Sequence, residues 1–173
     1  LVPFIFTPHQ TDQLLQAVVK RIRKSPTYFI RDLSTYIALM LIAKLGLRIS
    51  EPLSMMRSHY RPDEKTLYIE QSKFKKDRLI PIPRAVAAEI SNYLAVRRIL
   101  WATDANPYLL AAGKQKAFYD ELIRRWFHQA VSDIGLKRPR QTIGNTNIGA
   151  PTPHSLRHSF AVNTLKRIKT QGK

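Results

Sequence analysis

A chain of 173 residues with 29 Lys or Arg against 12 Asp or Glu, a formal net charge of +17, is long enough for one domain with its own core and is strongly basic. It has no cysteine, which excludes disulfides, thiolate metal sites and cysteine nucleophiles, and it has no apolar run near the roughly 18 residues of a membrane span. Such a cation excess draws polyanions, nucleic acid first among them, the plain alternative being a solvated basic surface.

Thr7-Pro8 pairs an N-cap with a proline at the first helical position, and Leu14, Val18, Ile22 follow at i, i+4 spacing. The run Lys20-Arg21-Ile22-Arg23-Lys24 closes that helix favourably for its dipole. A second helix is expected from about Arg31 to Leu45, apolar around most of its girth and therefore central. Gly46 stands where a C-terminal cap belongs, which leaves Arg48 in a short connection before Ser50-Glu51-Pro52 opens another short helix.

A hairpin comes next, with Thr66 to Gln71 and Arg78 to Ile82 as strands and the basic tip Ser72-Lys73-Phe74-Lys75-Lys76-Asp77 between them. Helices are expected over about Arg84 to Leu100 and about Gln115 to Ile134, the latter burying Trp126, Phe127 and Ala130. From Gly135 to Pro153 the chain reads as a loop carrying Lys137-Arg138-Pro139-Arg140. Thr152-Pro153 then repeats the cap-plus-proline device and starts a last helix. Beyond Gly135 there is no Asp or Glu. The fold class is α+β, mainly α-helical with a small antiparallel sheet.

The chemistry-bearing residues fall at three places. Arg48 offers a planar fork suited to phosphate oxygens, and Glu51 stands three residues on, able to orient it. By itself Arg-x-x-Glu equally describes a structural ion pair. Lys73 sits at a hairpin tip from which an ammonium can reach into a groove, although Lys75 and Lys76 share that tip. His154 and Arg157 share a helix face at i, i+3, with His158 behind them. No acidic partner lies near Arg157 in sequence, which points to a ligand anion. No Asp/Glu cluster has metal-ligand spacing, so no metal or cofactor is expected.

The order Gly46-Leu47-Arg48-Ile49-Ser50-Glu51, then Lys73 ahead of Arg78-Leu79-Ile80-Pro81, then His154-Ser155-Leu156-Arg157-His158 resembles the tyrosine recombinases of the phage integrase family. The resemblance covers nearly the whole chain. It implies that Arg48 and Arg157 clamp a scissile phosphate and that His154 binds a non-bridging oxygen and assists proton transfer. It implies that Lys73 is the general acid for a 5′-hydroxyl leaving group and that Glu51 and His158 support the cage. The implied chemistry is metal-free and runs through a 3′-phosphotyrosyl intermediate. Double-stranded DNA is the implied partner, with a homotetramer on DNA for a full-length protein, no membrane, and a cytoplasmic, nucleoid-associated location.

Two departures shape the expectation. The family's nucleophilic Tyr, and a His or Trp before it, fall downstream of the His-x-x-Arg helix, and none of Tyr28, Tyr36, Tyr60, Tyr68, Tyr93, Tyr108 or Tyr119 has a matching context. An N-terminal helical DNA-gripping domain is also not seen. Residues 1–173 are therefore expected to be a catalytic-domain fragment, without core-binding domain or nucleophile segment, that binds DNA but does not cleave it. Pro52 replaces a usual aliphatic residue, and the stretch from Lys137 to Pro151 is longer than usual and suited to following a DNA backbone. Lys75, Lys76, Lys137, Arg138 and Arg140 are the expected DNA contacts. The alternatives are a non-enzymatic DNA-binding module or regulator with a recombinase-like fold, and an RNA-binding protein supported by charge alone.

Overall fold

The computed structural model describes residues 1–72 and 76–172. Among the described residues six α-helices and seven short strands follow in the order α1 (Pro8–Lys20), α2 (Phe29–Leu45), α3 (Ser50–Ser54), β1 (Tyr60–Arg61), β2 (Thr66–Ser72), β3 (Lys76–Pro81), α4 (Arg84–Leu100), β4 (Ala111–Gly113), β5 (Lys116–Ala117), α5 (Asp120–Asp133), β6 (Gln141–Ile143), β7 (Thr146–Ile148) and α6 (Pro153–Gln171), with one turn of 3-10 helix (Arg57–His59) before β1. Among the described residues no helix is long and apolar enough to cross a membrane.

The apolar girth of α2 makes it the centre. Every residue from Ile37 to Ala43 is buried, and α1, α4, α5 and α6 all pack against this helix. Helix α1 starts on a capping box, in which Thr7 Oγ1 accepts from Gln10 N–H (3.1 Å) and Gln10 Oε1 accepts from Thr7 N–H (2.9 Å). Its basic tail is spent on structure. Arg21 pairs with Asp133 of α5 (2.8 Å), and Arg23 forks onto the buried Asp32 through two bonds of 2.8 Å.

Strands β1, β2 and β3 form one antiparallel sheet in that order, with Leu67 opposite Ile80 and Ile69 opposite Arg78. Residues directly opposite in an antiparallel pair share a face. The face of the buried Leu67 and Ile69 therefore carries Arg78 as well. Lys73 and Lys75, expected from the sequence at a hairpin tip, lie outside the described residues.

Helix α4 has the bounds expected from its stripe, and its last turn buries Arg97 completely. That guanidinium bonds Asp104 (2.6 Å) and the carbonyls of Asn106, Tyr108 and Leu109 (2.8–3.0 Å), pinning the connection to β4.

Two segments differ from the sequence expectation. The fifth helix starts at Asp120 rather than Gln115 because residues 111–117 form a small hairpin. Its backbone is held by side chains: Ser34 Oγ donates to Ala111 O (3.0 Å), and Asn106 Nδ2 donates to Gly113 O (3.0 Å) and Lys116 O (2.9 Å). A partner as remote in sequence as Ser34 leaves no local pattern to read. The stretch before α6 is also more than a loop. β6 and β7 pair around Gly144, whose φ of 58° suits a tight turn, and Val2 docks alongside through Asn147 O (2.7 Å) and Gly149 N–H (2.9 Å).

Candidate active site

Helix α2 ends at Gly46 in the left-handed conformation (φ 66°), its N–H bonded to Ile42 O at 3.1 Å. The reversal throws Arg48 out of the core into the turn before α3. Glu51, in the first turn of α3 and only 8% exposed, accepts the Arg48 backbone N–H on Oε2 (2.7 Å) and Arg48 Nη1 on Oε1 (3.1 Å). Arg78 of β3 approaches the same carboxylate as a fork, Nη1 on Oε1 and Nη2 on Oε2, both at 2.9 Å. Burial pushes the Glu51 carboxyl upward. The Arg78 hydrogen bonds, the Arg48 N–H and the charges of both guanidinium groups outweigh it, so the net shift is below 4.5 and the group is ionised at neutral pH.

Helix α6 packs against this turn through Arg157 and Phe160. Arg157 Nη1 donates to Gly46 O, and the Phe160 ring covers Gly46 so closely that a Cβ there would lie 2.4 Å from Phe160 Cδ1. Gly46 is thus fixed twice, by its positive φ and by the helix laid over it. The N-terminal strap holds α6 from behind. Phe6 N–H donates to Ser159 Oγ (2.8 Å), and Asn163 Nδ2 donates to Phe6 O (2.9 Å).

The result brings Arg48 and Arg157 into one electrostatic field. The Arg157 guanidinium is lowered from its usual value first by burial and next by the charge of Arg48, with Arg78 adding to the effect and Glu51 opposing it. His154, one turn earlier on α6, is lowered below 6.5 by burial and then by His158, Arg157 and Arg48. Its ring meets that of His158 edge-to-face, centroids 4.4 Å apart. Three guanidinium groups therefore face one carboxylate and a neutral imidazole. An anion placed there gains two net positive charges and a ring that accepts a proton more readily once the anion arrives.

Of the residues singled out in the sequence, Arg48, Glu51, His154, Arg157 and His158 share this junction of α2, α3 and α6. Lys76 opens β3 and is exposed. Lys137, Arg138 and Arg140 are exposed on the segment leading into β6, with the Arg138 guanidinium over the Phe4 ring at 4.3 Å. Sequence reasoning missed Arg78 as a member of the site. The signal was present in the alternation Arg78, Ile80, Ile82, which puts an arginine on the inward face of a strand, where a charge requires a partner.

Residues 5–168 match the phage integrase family, and the chain belongs to that family. It is 32% identical over 152 residues to the tyrosine recombinase XerA of Pyrococcus furiosus, an alignment covering 88% of this chain and 47% of the relative. The chain spans about half the length of the curated relatives it matches. Its fold superposes on a crystal structure of the XerH site-specific recombinase bound to its difH substrate with a TM-score of 0.72 and 20% identity, covering 96% of this chain and 44% of that one. The lambda integrase catalytic core gives a TM-score of 0.61 at 20% identity, covering 95% of this chain and 84% of that one. The fold is that of a tyrosine recombinase catalytic domain.

Proposed function

We propose that the domain grips one DNA phosphodiester between Arg48, Arg157 and His154 and that, within a complete recombinase, it breaks and rejoins strands site-specifically. The observation that carries this reading is the docking of α6 on Gly46, which puts Arg157 and His154 beside Arg48. In the step proposed, a tyrosine hydroxyl attacks phosphorus, its proton passing to the neutral His154 imidazole, and the bond from phosphorus to the 5′ oxygen breaks. Lys73 protonates the departing 5′ oxygen, and a 3′-phosphotyrosyl ester remains. The phosphorane carries more negative charge on its equatorial oxygens than the diester, so fixed guanidinium groups stabilise it more than the ground state. A neutral His154 accepts or shares a proton there without adding a permanent charge.

The seven tyrosines support assigning the nucleophile to a residue other than these. Tyr93 is buried against Ser34, Tyr60 donates to Ala87 O, Tyr68 donates to Asp77, Tyr28 lies under the Arg23 guanidinium, and Tyr119 stacks on Phe118. Tyr36 is half-buried and feels Glu89, while Tyr108 gives its carbonyl to Arg97. Residues 1–173 are accordingly read as a catalytic domain that binds DNA without cutting it alone. A homotetramer on DNA belongs to the same reading of the complete protein. Lys75, Lys76, Lys137, Arg138 and Arg140 track the DNA backbone, and His158 backs His154.

Incubation with a nicked suicide duplex over a range of salt tests this. The expected result is a salt-sensitive noncovalent complex and no covalent adduct. Arg48→Ala and Arg157→Ala should each lower the slope of log affinity against log salt by about one. Unchanged slopes in both variants would remove the phosphate cage. A covalent adduct would return the nucleophile to one of the seven tyrosines.

A further inference from the structure

Arg78 is absorbed by none of the roles above, yet it makes the most complete contact in the site. Both of its terminal nitrogens are on Glu51, one on each carboxylate oxygen, at 2.9 Å. Arg48 gives the same carboxylate one side-chain N–H, at the longer distance of 3.1 Å. A carboxylate and a guanidinium prefer a two-point, fork-to-fork pairing. With Arg78 occupying both oxygens, Arg48 is held by its backbone N–H and one nitrogen, and the rest of its fork is left for another acceptor. Without Arg78, Glu51 would be a nearly buried carboxylate whose one remaining ion-pair partner among the described residues is Arg48, and Arg48 would close on it.

We infer that Arg78 is a positioning residue. It saturates Glu51 so that Arg48 keeps its guanidinium available to a phosphate. Through β3 it also ties the sheet to the turn that carries Arg48. The inference rests on the reading of this junction as a phosphate site.

Arg78 also adds a positive charge that reaches Arg157. A loss of affinity in Arg78→Ala alone would therefore not separate field from position. Glu51→Gln separates them, because it removes the carboxylate that would capture Arg48 while leaving any field effect of Arg78 in place. The experiment is a titration of the 173-residue chain with inorganic phosphate, followed by the imidazole signals of His154, in six forms: wild type, Arg78→Ala, Arg78→Lys, Glu51→Gln, the Arg78→Ala/Glu51→Gln double variant and Arg157→Ala. Thermal melts fix a temperature at which all six are folded.

The expected outcome is about a tenfold loss of phosphate affinity from Arg78→Ala when Glu51 is present, the scale of a lost hydrogen bond to a charged group. In the Glu51→Gln background the same change should cost less than about threefold. Arg78→Lys should recover part of the loss, since an ammonium meets only one oxygen well. Equal losses in both backgrounds would overturn the inference, as would no loss in either. If wild type takes up no phosphate in a manner sensitive to Arg157→Ala, the underlying site reading fails instead, and that result is separate from the other two.

Discussion

At the residue scale the site is a problem of charge placement. Glu51 would be costly as a lone buried carboxylate, and it is kept ionised by Arg78 and Arg48 together. His154 runs the other way. Burial first, and then its neighbours His158, Arg157 and Arg48, hold it below 6.5 in the free protein and mostly neutral at pH 7. Because the folded value lies below the unfolded one, this group favours the folded state fully above about pH 6.5. That contribution is lost as pH falls from there through the folded value. A DNA phosphate offsets part of the positive local field and should raise the His154 value. Its affinity should therefore increase as pH drops through the window between the free and bound values. Imidazole signals followed against pH, with and without a short duplex, check this. An upward displacement on adding DNA is expected, and an identical titration in both states would count against contact with phosphate.

At the element scale the decisive contact is α6 on the end of α2. Gly46→Ala should disrupt it, because the new methyl would lie 2.4 Å from Phe160 Cδ1 on a backbone with φ 66°. A loss of about 2 kcal/mol or more is expected from strain and overpacking combined. Urea denaturation measures it, and a change under 0.5 kcal/mol would mean that α6 can shift freely. Much of this level was legible in the sequence. The caps Thr7-Pro8 and Thr152-Pro153, the apolar girth of α2 and the stripe of α4 each follow from local rules. The hairpins at 111–117 and 141–148 were not legible, because their order comes in part from Ser34 and Val2, far away in sequence. Arg78 was overlooked for a related reason. Strand alternation showed its face but not which carboxylate waited there.

At the scale of the whole molecule a surplus of 17 positive charges surrounds a core built on one buried helix. Arg21, Arg23 and Arg97 pair with Asp133, Asp32 and Asp104, so these charges cancel within the net figure and the surplus is carried by other cations. Those include the cage and the exposed Lys137, Arg138 and Arg140 beside the β6–β7 hairpin. The central claim is that Arg48 and Arg157, 109 residues apart in the chain, serve one phosphate. The most direct test follows the side-chain Nε–H signals of both arginines by NMR while inorganic phosphate is added. The account predicts that both move along one saturation curve with a single dissociation constant and that Arg157→Ala abolishes the movement of Arg48. Two separate curves, or movement of one arginine without the other, would contradict it.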